Sequence, residues 1–161
     1  MRERIAALSE KFVEQMSDPQ VVKDTRLLGD FSVIYCKGNH DGRERTALAS
    51  DGVELGVYGR KLPIVCEECA ELLRYAEKRR AFCPKEPKPF CSYCDTHCYK
   101  PEMREYMREV MRYAGPRSWR HGHAIDGVKH VIDGKRFKRE MERRAAEEPG
   151  AEQAAGTTEP G

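Results

Sequence analysis

The sequence predicts a mainly α protein, and three observations carry that prediction. Apolar residues recur at helical spacing in several stretches, proline and glycine mark the ends of those stretches, and no apolar run approaches the roughly 18 residues needed to cross a bilayer. With 161 residues, of which 35% are charged and 39% hydrophobic, the chain can support one compact domain with a modest core. We expect a single domain over residues 1–144 and a tail over 145–161.

The N-terminal part predicts two amphipathic helices. Apolar residues at spacings of three and four place the first helix over 2–16. Asp18 then supplies a capping side chain and Pro19 fits the first helical position, so a second helix is expected over 19–36. A short strand over 31–35 is an open alternative, because the residues there also suit a sheet.

A β-hairpin insert is predicted around 46–57. Two short runs, 46–50 and 53–57, flank the dipeptide Asp51-Gly52. An aspartate–glycine pair between such runs is typical of a two-residue hairpin turn.

The central part predicts two further helices with an irregular segment between them. The helix over 66–82 has one apolar side, and glutamates near its start suit the positive end of the helix dipole. Residues 83–100 contain three prolines and should be irregular. Pro101 then begins a helix whose apolar stripe we assign to the core, and Gly115-Pro116 is expected to end it.

The C-terminal part predicts a last helix over 128–144 and a disordered acidic tail over 145–161. The tail holds four glutamates and no lysine or arginine, a composition that cannot support a core. Without it, 29 basic residues face 23 acidic ones, a net charge of +6. A mildly basic body permits nucleic-acid contact, but an ordinary solvated surface is the favoured interpretation.

The seven cysteines take their meaning from the compartment. The N-terminus lacks the apolar segment and small-residue cleavage site of a signal peptide, so we expect a cytoplasmic protein with no membrane partner. In a reducing compartment, closely spaced cysteines are more often metal ligands or redox groups than structural disulfides. The odd count also fits a disulfide framework poorly.

Eight residues form the predicted metal-ligand set: Cys36, His40, Cys66, Cys69, Cys83, Cys91, Cys94 and Cys98. The set contains two Cys-x2-Cys pairs beside turn residues, a pattern that buried free thiols would not explain. A continuous helix between Cys69 and Cys83 would separate them by about 21 Å. Two sulfurs on one zinc ion lie no more than about 4.6 Å apart. We therefore expect two groups, Cys36, His40, Cys66 and Cys69 in the first, and Cys83, Cys91, Cys94 and Cys98 in the second.

The metal itself stays open at this point. Thiolate ligands suit zinc and an iron–sulfur cluster about equally, and iron bound as a single ion is a further option. His97 could replace Cys98 as a ligand or hold it in place through its ring N–H. Either way, ligands drawn from distant segments predict a metal-stabilised helical domain.

Several segments together resemble the nitrous oxide-stimulated promoter family over about residues 20–135. They are Tyr35-Cys36 followed by His40, the Cys66–Cys69 pair, the segment 72–76, Cys83, the run Cys91-Ser-Tyr-Cys94-Asp-Thr-His97-Cys98-Tyr99-Lys100-Pro101-Glu102-Met103-Arg104, and the run 110–117. The resemblance implies a small bacterial cytoplasmic protein linked by name to nitrogen-oxide-responsive expression. That name describes how a gene is switched on, so it does not imply promoter binding. The chain departs from the family pattern in an insert at about 43–60 and at 118–122.

The functional hypothesis is a metal-binding protein of the nitrosative stress response, acting as a sensor, metal handler or interaction module. One alternative is a thiol or redox enzyme that uses Cys66 and Cys69, but no thioredoxin-like βαβ pattern surrounds them, which disfavours an enzyme. The other is a nucleic-acid-binding regulator with a basic stripe of Arg104, Arg108 and Arg112. Glutamates interleave with that stripe, so nucleic acid is permitted but not indicated, and no protein partner is indicated.

Overall fold

The computed structural model describes residues 8–85, 88–89, 91, 94, 96 and 98–121, with six further positions between 135 and 143. The chain divides into two compact units, Met1–Ala124 and Ile125–Gly161. In the first unit the elements are α1 (Glu10–Gln15), α2 (Pro19–Asn39), β1 (Thr46–Ala47), α3 (Asp51–Glu54), β2 (Ile64–Val65), α4 (Glu67–Ala81), α5 (Pro101–Arg117) and a 3-10 turn over Ser118–His121. The predicted mainly α class is confirmed.

Helix α2 begins where its capping signal predicted. The Asp18 side chain accepts hydrogen bonds from the backbone N–H groups of Gln20 at 2.8 Å and Val21 at 3.0 Å, which satisfies two donors that a helix start leaves unpaired. The helix then continues to Asn39, so the alternative strand over 31–35 is wrong.

The predicted hairpin is wrong in its second strand. Thr46 pairs with Val65 and Ala47 with Ile64, which makes a two-stranded antiparallel sheet from distant segments. Residues Asp51–Glu54, expected as the turn and start of the second strand, form helix α3 instead.

Contacts to a buried carboxylate explain why this insert turns into a helix. The Ser50 hydroxyl donates to Glu77 at 2.8 Å and also accepts from the Val53 N–H at 3.2 Å, so it caps α3. The Gly52 N–H donates to the same carboxylate at 3.3 Å. These bonds satisfy N–H groups in the first turn of α3, which have no partner within the helix.

Helix α5 does not stop at Gly115-Pro116 as predicted, because it continues to Arg117. A proline removes one helical N–H bond, and near the end of a helix that loss affects few later turns. Bonding resumes at once, since the Ser118 N–H reaches the carbonyls of Ala114 and Gly115.

Some predictions fall largely outside the described residues. Of the helix predicted over 2–16, residues 1–7 lie outside them and Glu10–Gln15 is helical. The six described positions within the predicted 128–144 helix are helical, and the tail over 145–161 lies outside.

The core forms where α2, α4 and α5 pack against one another. Its largest fully buried apolar side chains are Leu72, Leu73, Val21, Val65 and Val110. This packing places the C-terminal end of α2 beside the N-terminal end of α4. Among the helices that the structure describes, none combines the length and the apolar character needed to cross a bilayer.

Candidate metal centre

Four predicted ligands meet where α2 ends and α4 begins. Cys36 lies in the last turn of α2, His40 directly follows that helix, Cys66 caps α4, and Cys69 lies in its first turn. Their ligand atoms all lie within 4.8 Å of one another, and all four residues are buried. The structure therefore brings the whole first group together, from segments that are far apart in sequence.

The distances fit a single tetrahedral ion. His40 Nδ1 lies 3.1 Å from the Cys66 Sγ and 3.4 Å from the Cys69 Sγ. Typical zinc–sulfur and zinc–nitrogen bonds at a tetrahedral angle would separate sulfur and nitrogen by about 3.6 Å. Small side-chain adjustments would bring the donors to that spacing, so the cluster could hold a metal ion.

Backbone and side-chain contacts fix the loop that carries His40. Arg45 donates through one guanidinium nitrogen to the carbonyl of Cys36 at 3.1 Å and to that of His40 at 2.8 Å. The Cys36 carbonyl also accepts from the His40 N–H at 3.1 Å, whereas the His40 carbonyl lies beyond the helix, where Arg45 supplies a donor. The β1–β2 pair then returns the chain, so that Cys66 arrives beside Cys36.

The surroundings of the cluster shift the pKa values of two of its thiols in opposite directions. Burial raises the pKa of Cys66, but the Cys69 amide and the side chains of Cys36, Cys69 and Arg43 more than offset it, so the net pKa is lowered. Burial raises the pKa of Cys69, and the neighbouring Cys36 and Cys66 raise it further. Cys66 is therefore the more easily ionised of this pair, and Cys69 the less easily ionised.

The other two ligands are prepared for coordination in different ways. Burial, followed by the charge of Arg43, lowers the pKa of His40, which keeps its imidazole neutral and free to bind a metal. The Cys66 N–H donates to the Cys36 Sγ at 3.2 Å. Backbone N–H groups aimed at sulfur stabilise thiolate ligands.

An outer layer of tyrosines and an ion pair was missed at the sequence level. The Tyr106 hydroxyl lies 3.3 Å from the Cys69 Sγ, and the Tyr35 ring meets His40 edge-on with centroids 5.4 Å apart. Arg43 forms an ion pair with Glu68 above the cluster. Tyr35 could have been suspected because it precedes Cys36. Tyr106 lies on the apolar stripe of α5 and gave no separate signal.

The second group is close together but is not assembled. Cys83 follows α4, Cys91 is exposed, and Cys94 and Cys98 are partly exposed. Among the described residues, no three of these sulfurs meet within 4.8 Å as the first group does. His97, the alternative ligand, lies outside the described residues.

The four thiols of the second group nevertheless affect one another. Burial raises the pKa of Cys98, and the charges of Cys83 and Cys94 raise it further. The pKa of Cys91 is raised first by desolvation, while Arg80 opposes the shift and the other three cysteines add to it. The Cys91 thiol therefore lies near enough to the other three thiols for their charges to affect it.

Comparison with known proteins places this arrangement in context. The chain matches the family described as nitrous oxide-stimulated promoter over residues 19–143, a range that contains all eight candidate ligands. A protein of Escherichia coli (strain K12) named Uncharacterized protein YgbA is 49% identical over 72 residues, which cover 44% of this chain and 60% of that protein. The chain thus matches less than two thirds of the length of this relative. No solved structure matches this chain.

Proposed function

Because the chain belongs to the nitrous oxide-stimulated promoter family, as its motifs predicted, we propose that it is a cytoplasmic metal-binding sensor of nitrogen oxides. The centre formed by Cys36, His40, Cys66 and Cys69 would hold the metal. The observation that carries this proposal is the convergence of three sulfurs and one imidazole nitrogen from buried residues. Four protein donors in one sphere support a single closed site.

The donor set favours zinc over iron. Three thiolates and one imidazole, with all four positions taken by protein, are the typical ligand set of a structural zinc site. An iron that reacts directly with a gas needs an open position, which a closed set does not leave. In this proposal, the thiolates rather than the metal therefore react with the nitrogen oxide.

A nitrosating agent supplies the signal in this proposal. Dinitrogen trioxide, formed from nitric oxide and oxygen, transfers a nitrosonium group to one thiolate sulfur. An S–N bond forms, nitrite leaves, and the sulfur loses the negative charge that bound the metal. Because the ligands join α2 to α4, loss of the metal would loosen that junction.

Burial of the cluster supports this mechanism over a thiol reductase. Cys66 is 4% exposed and Cys69 is fully buried. A protein disulfide cannot reach such sulfurs, whereas a small nitrogen oxide can.

The basic stripe of α5 is partly neutralised. Arg108 and Arg112 both pair with Glu105, at 3.3 and 3.8 Å, which reduces the attraction of the stripe for nucleic acid.

Metal analysis of anaerobically purified protein tests the proposal. Removal of a residue that only supports a ligand typically lowers metal affinity by about 10- to 100-fold. Because Cys69 is itself a ligand, we expect Cys69→Ser to lower the affinity for the first-centre ion by more than that. Cys91→Ser is the matched control: it removes a cysteine outside this centre and should keep the first-centre ion, whatever it loses elsewhere. Addition of a nitrosating agent to the wild type should release the ion, as detected with a chromophoric chelator.

Two results would contradict the proposal. One is a Cys69→Ser protein that retains the wild-type metal content and melting temperature. The other is a wild type that keeps its ion when mass spectrometry shows the ligand cysteines to be nitrosated.

A further inference from the structure

Four cysteines gather around the C-terminal end of α4, away from the centre described above. Cys83 comes two residues after the helix, and its N–H reaches the carbonyl of Arg80 at 3.4 Å. The N–H of Cys94 points to the carbonyl of Cys91 at 3.4 Å, which brings the two cysteines of the Cys-x2-Cys pair together. Two cysteines at this spacing are a common pair of ligands for one metal ion.

Contacts to α4 hold the remainder of this segment in place. Arg80, which is 5% exposed, donates to the carbonyl of Pro89 at 3.1 Å. Beyond Cys98, the Tyr99 ring packs edge-on against Tyr75 with centroids 5.2 Å apart, and the Lys100 N–H donates to the Tyr75 hydroxyl at 2.8 Å. One helix therefore anchors the segment both in its middle and at its end.

We propose that Cys83, Cys91, Cys94 and Cys98 form a second metal site, which binds a single divalent cation of the zinc type. The hydrogen bond from Arg80 to Pro89 and the packing of Tyr99 on Tyr75 hold this segment against the half of α4 that Cys83 follows. Within the segment, the hydrogen bond between the Cys94 N–H and the Cys91 carbonyl keeps that pair together. No three of the four sulfurs meet within 4.8 Å, so binding of a metal requires these side chains to move toward one another. This site does not depend on the first centre for any of its ligands.

The surrounding charge suits an anionic metal–thiolate group. A divalent cation with four thiolates carries a net charge of −2. The last turn of α4 holds the basic residues Lys78, Arg79 and Arg80. Arg80 reaches this segment through its hydrogen bond to the Pro89 carbonyl and also pairs with Asp24. These cations also offset the partial negative charge at the helix C-terminus.

Donor type separates the two sites in an experiment. The first site offers three sulfurs and one nitrogen, and the second offers four sulfurs. Cobalt(II) is the probe, because its visible and charge-transfer bands change with the number of thiolates bound. The reduced full-length chain would be titrated with cobalt(II) without oxygen, with circular dichroism to confirm that each variant keeps its helices.

We expect a second equivalent of cobalt with a four-thiolate spectrum. Cys94→Ser should lose that equivalent and keep the three-sulfur, one-nitrogen spectrum, whereas Cys69→Ser should show the reverse. Failure of the first centre alone would leave the four-thiolate bands intact, so the two proposals can fail separately. A wild type that binds one equivalent, or two variants that lose the same equivalent, would overturn this second site. A brown protein with iron–sulfur absorption at these cysteines would also overturn it.

Alkylation of the wild type tests the site without any variant. Zinc should protect Cys83, Cys91, Cys94 and Cys98 from iodoacetamide together, and a chelator should expose them together, as read by mass spectrometry of the peptides. Unprotected alkylation of these four in zinc-loaded protein would show that no metal binds there.

Discussion

The two ends of α4 carry the same chemistry in different settings. At the N-terminal end, Cys66 and Cys69 meet Cys36 and His40 in a buried cluster whose ligand atoms all lie within 4.8 Å of one another. At the C-terminal end, Cys83 belongs to a group that is more exposed and not assembled. The helix dipole explains part of this contrast, because the positive N-terminus stabilises thiolates and the negative C-terminus opposes them.

Packing explains the rest of the contrast. The first group is enclosed by α2 and α5, whose residues belong to the hydrophobic core. The second group follows α4 in a proline-containing segment. That segment contacts α4 through Arg80 and Tyr75, and α1 through the hydrogen bond from Lys88 to Gln15 at 2.8 Å. Core packing therefore holds the first group, whereas the second is held by a few polar contacts and one ring contact.

The largest expected effect is on thermal stability. Cys69→Ser should lower the melting temperature of zinc-loaded protein by about 10 °C, which corresponds to about 3 kcal/mol or more. The reason is that loss of the ion removes the metal–ligand bonds that join α2 to α4. Cys94→Ser should have less than half that effect. Calorimetry of the two variants makes the comparison.

Loop length alone would not produce this difference. The first centre joins residues 36 to 69 and the second joins 83 to 98, and a doubling of loop length contributes only about 0.6 kcal/mol. Equal shifts in the two variants would therefore indicate that burial of the first cluster does not add to its stability.

The next effect is steric and concerns the first centre alone. A Cβ at Gly38 would overlap the Tyr113 hydroxyl and lie 2.6 Å from its ring, so Gly38→Ala must displace the Tyr113 side chain that packs between α5 and α2. We expect a loss of about 1–3 kcal/mol and weaker metal binding at the first centre. Gly115→Ala is the control, since nothing lies within 4 Å of its Cβ position, and it should be neutral or stabilising by up to about 1 kcal/mol. Denaturant unfolding would show whether the two variants differ in sign.

A smaller effect comes from hydroxyl groups that support each site. Tyr106→Phe removes the hydrogen bond to the Cys69 sulfur and should weaken the first centre by about 10-fold, with its packing kept. Tyr75→Phe removes the acceptor for the Lys100 N–H and should weaken the second site only. Competition with a chelator gives both affinities, and a change at the opposite site in either variant would contradict the separation of the two.

The separation of Cys69 from Cys83 could be predicted from the sequence because it depends on local geometry. The rise of an unbroken helix kept Cys69 away from Cys83, and Asp18-Pro19 marked the start of α2. Pairing of Thr46 with Val65 could not be read in the same way, since it depends on contacts between distant segments. The bond between Ser50 and Glu77, which turned an expected hairpin into a helix, is of the same kind.

The smallest effect concerns the middle of α4, between the two sites. The Glu77 carboxylate accepts hydrogen bonds from the hydroxyls of Tyr58 at 2.7 Å and Ser50 at 2.8 Å, but burial outweighs them and raises its pKa above the ordinary value of 4.5. A folded-state pKa above the unfolded one means that the native state holds its proton more tightly. This contribution to stability is therefore complete below pH 4.5 and is lost as the pH rises through the raised native value.

Glu77→Gln should remove that pH dependence, because the amide does not titrate. Its oxygen can still accept from Tyr58 and Ser50, while the bond from the Gly52 N–H is lost, at a pH-independent cost of about 1 kcal/mol. The variant's free energy of unfolding should thus fall less steeply than that of the wild type above pH 4.5, as measured by urea unfolding at a series of pH values. Both metal equivalents should remain, since Glu77 contacts neither cysteine group. Parallel pH profiles would show that Glu77 ionises in the native protein as it does in the unfolded chain, and loss of either metal would show that the two ends of α4 are coupled through its centre.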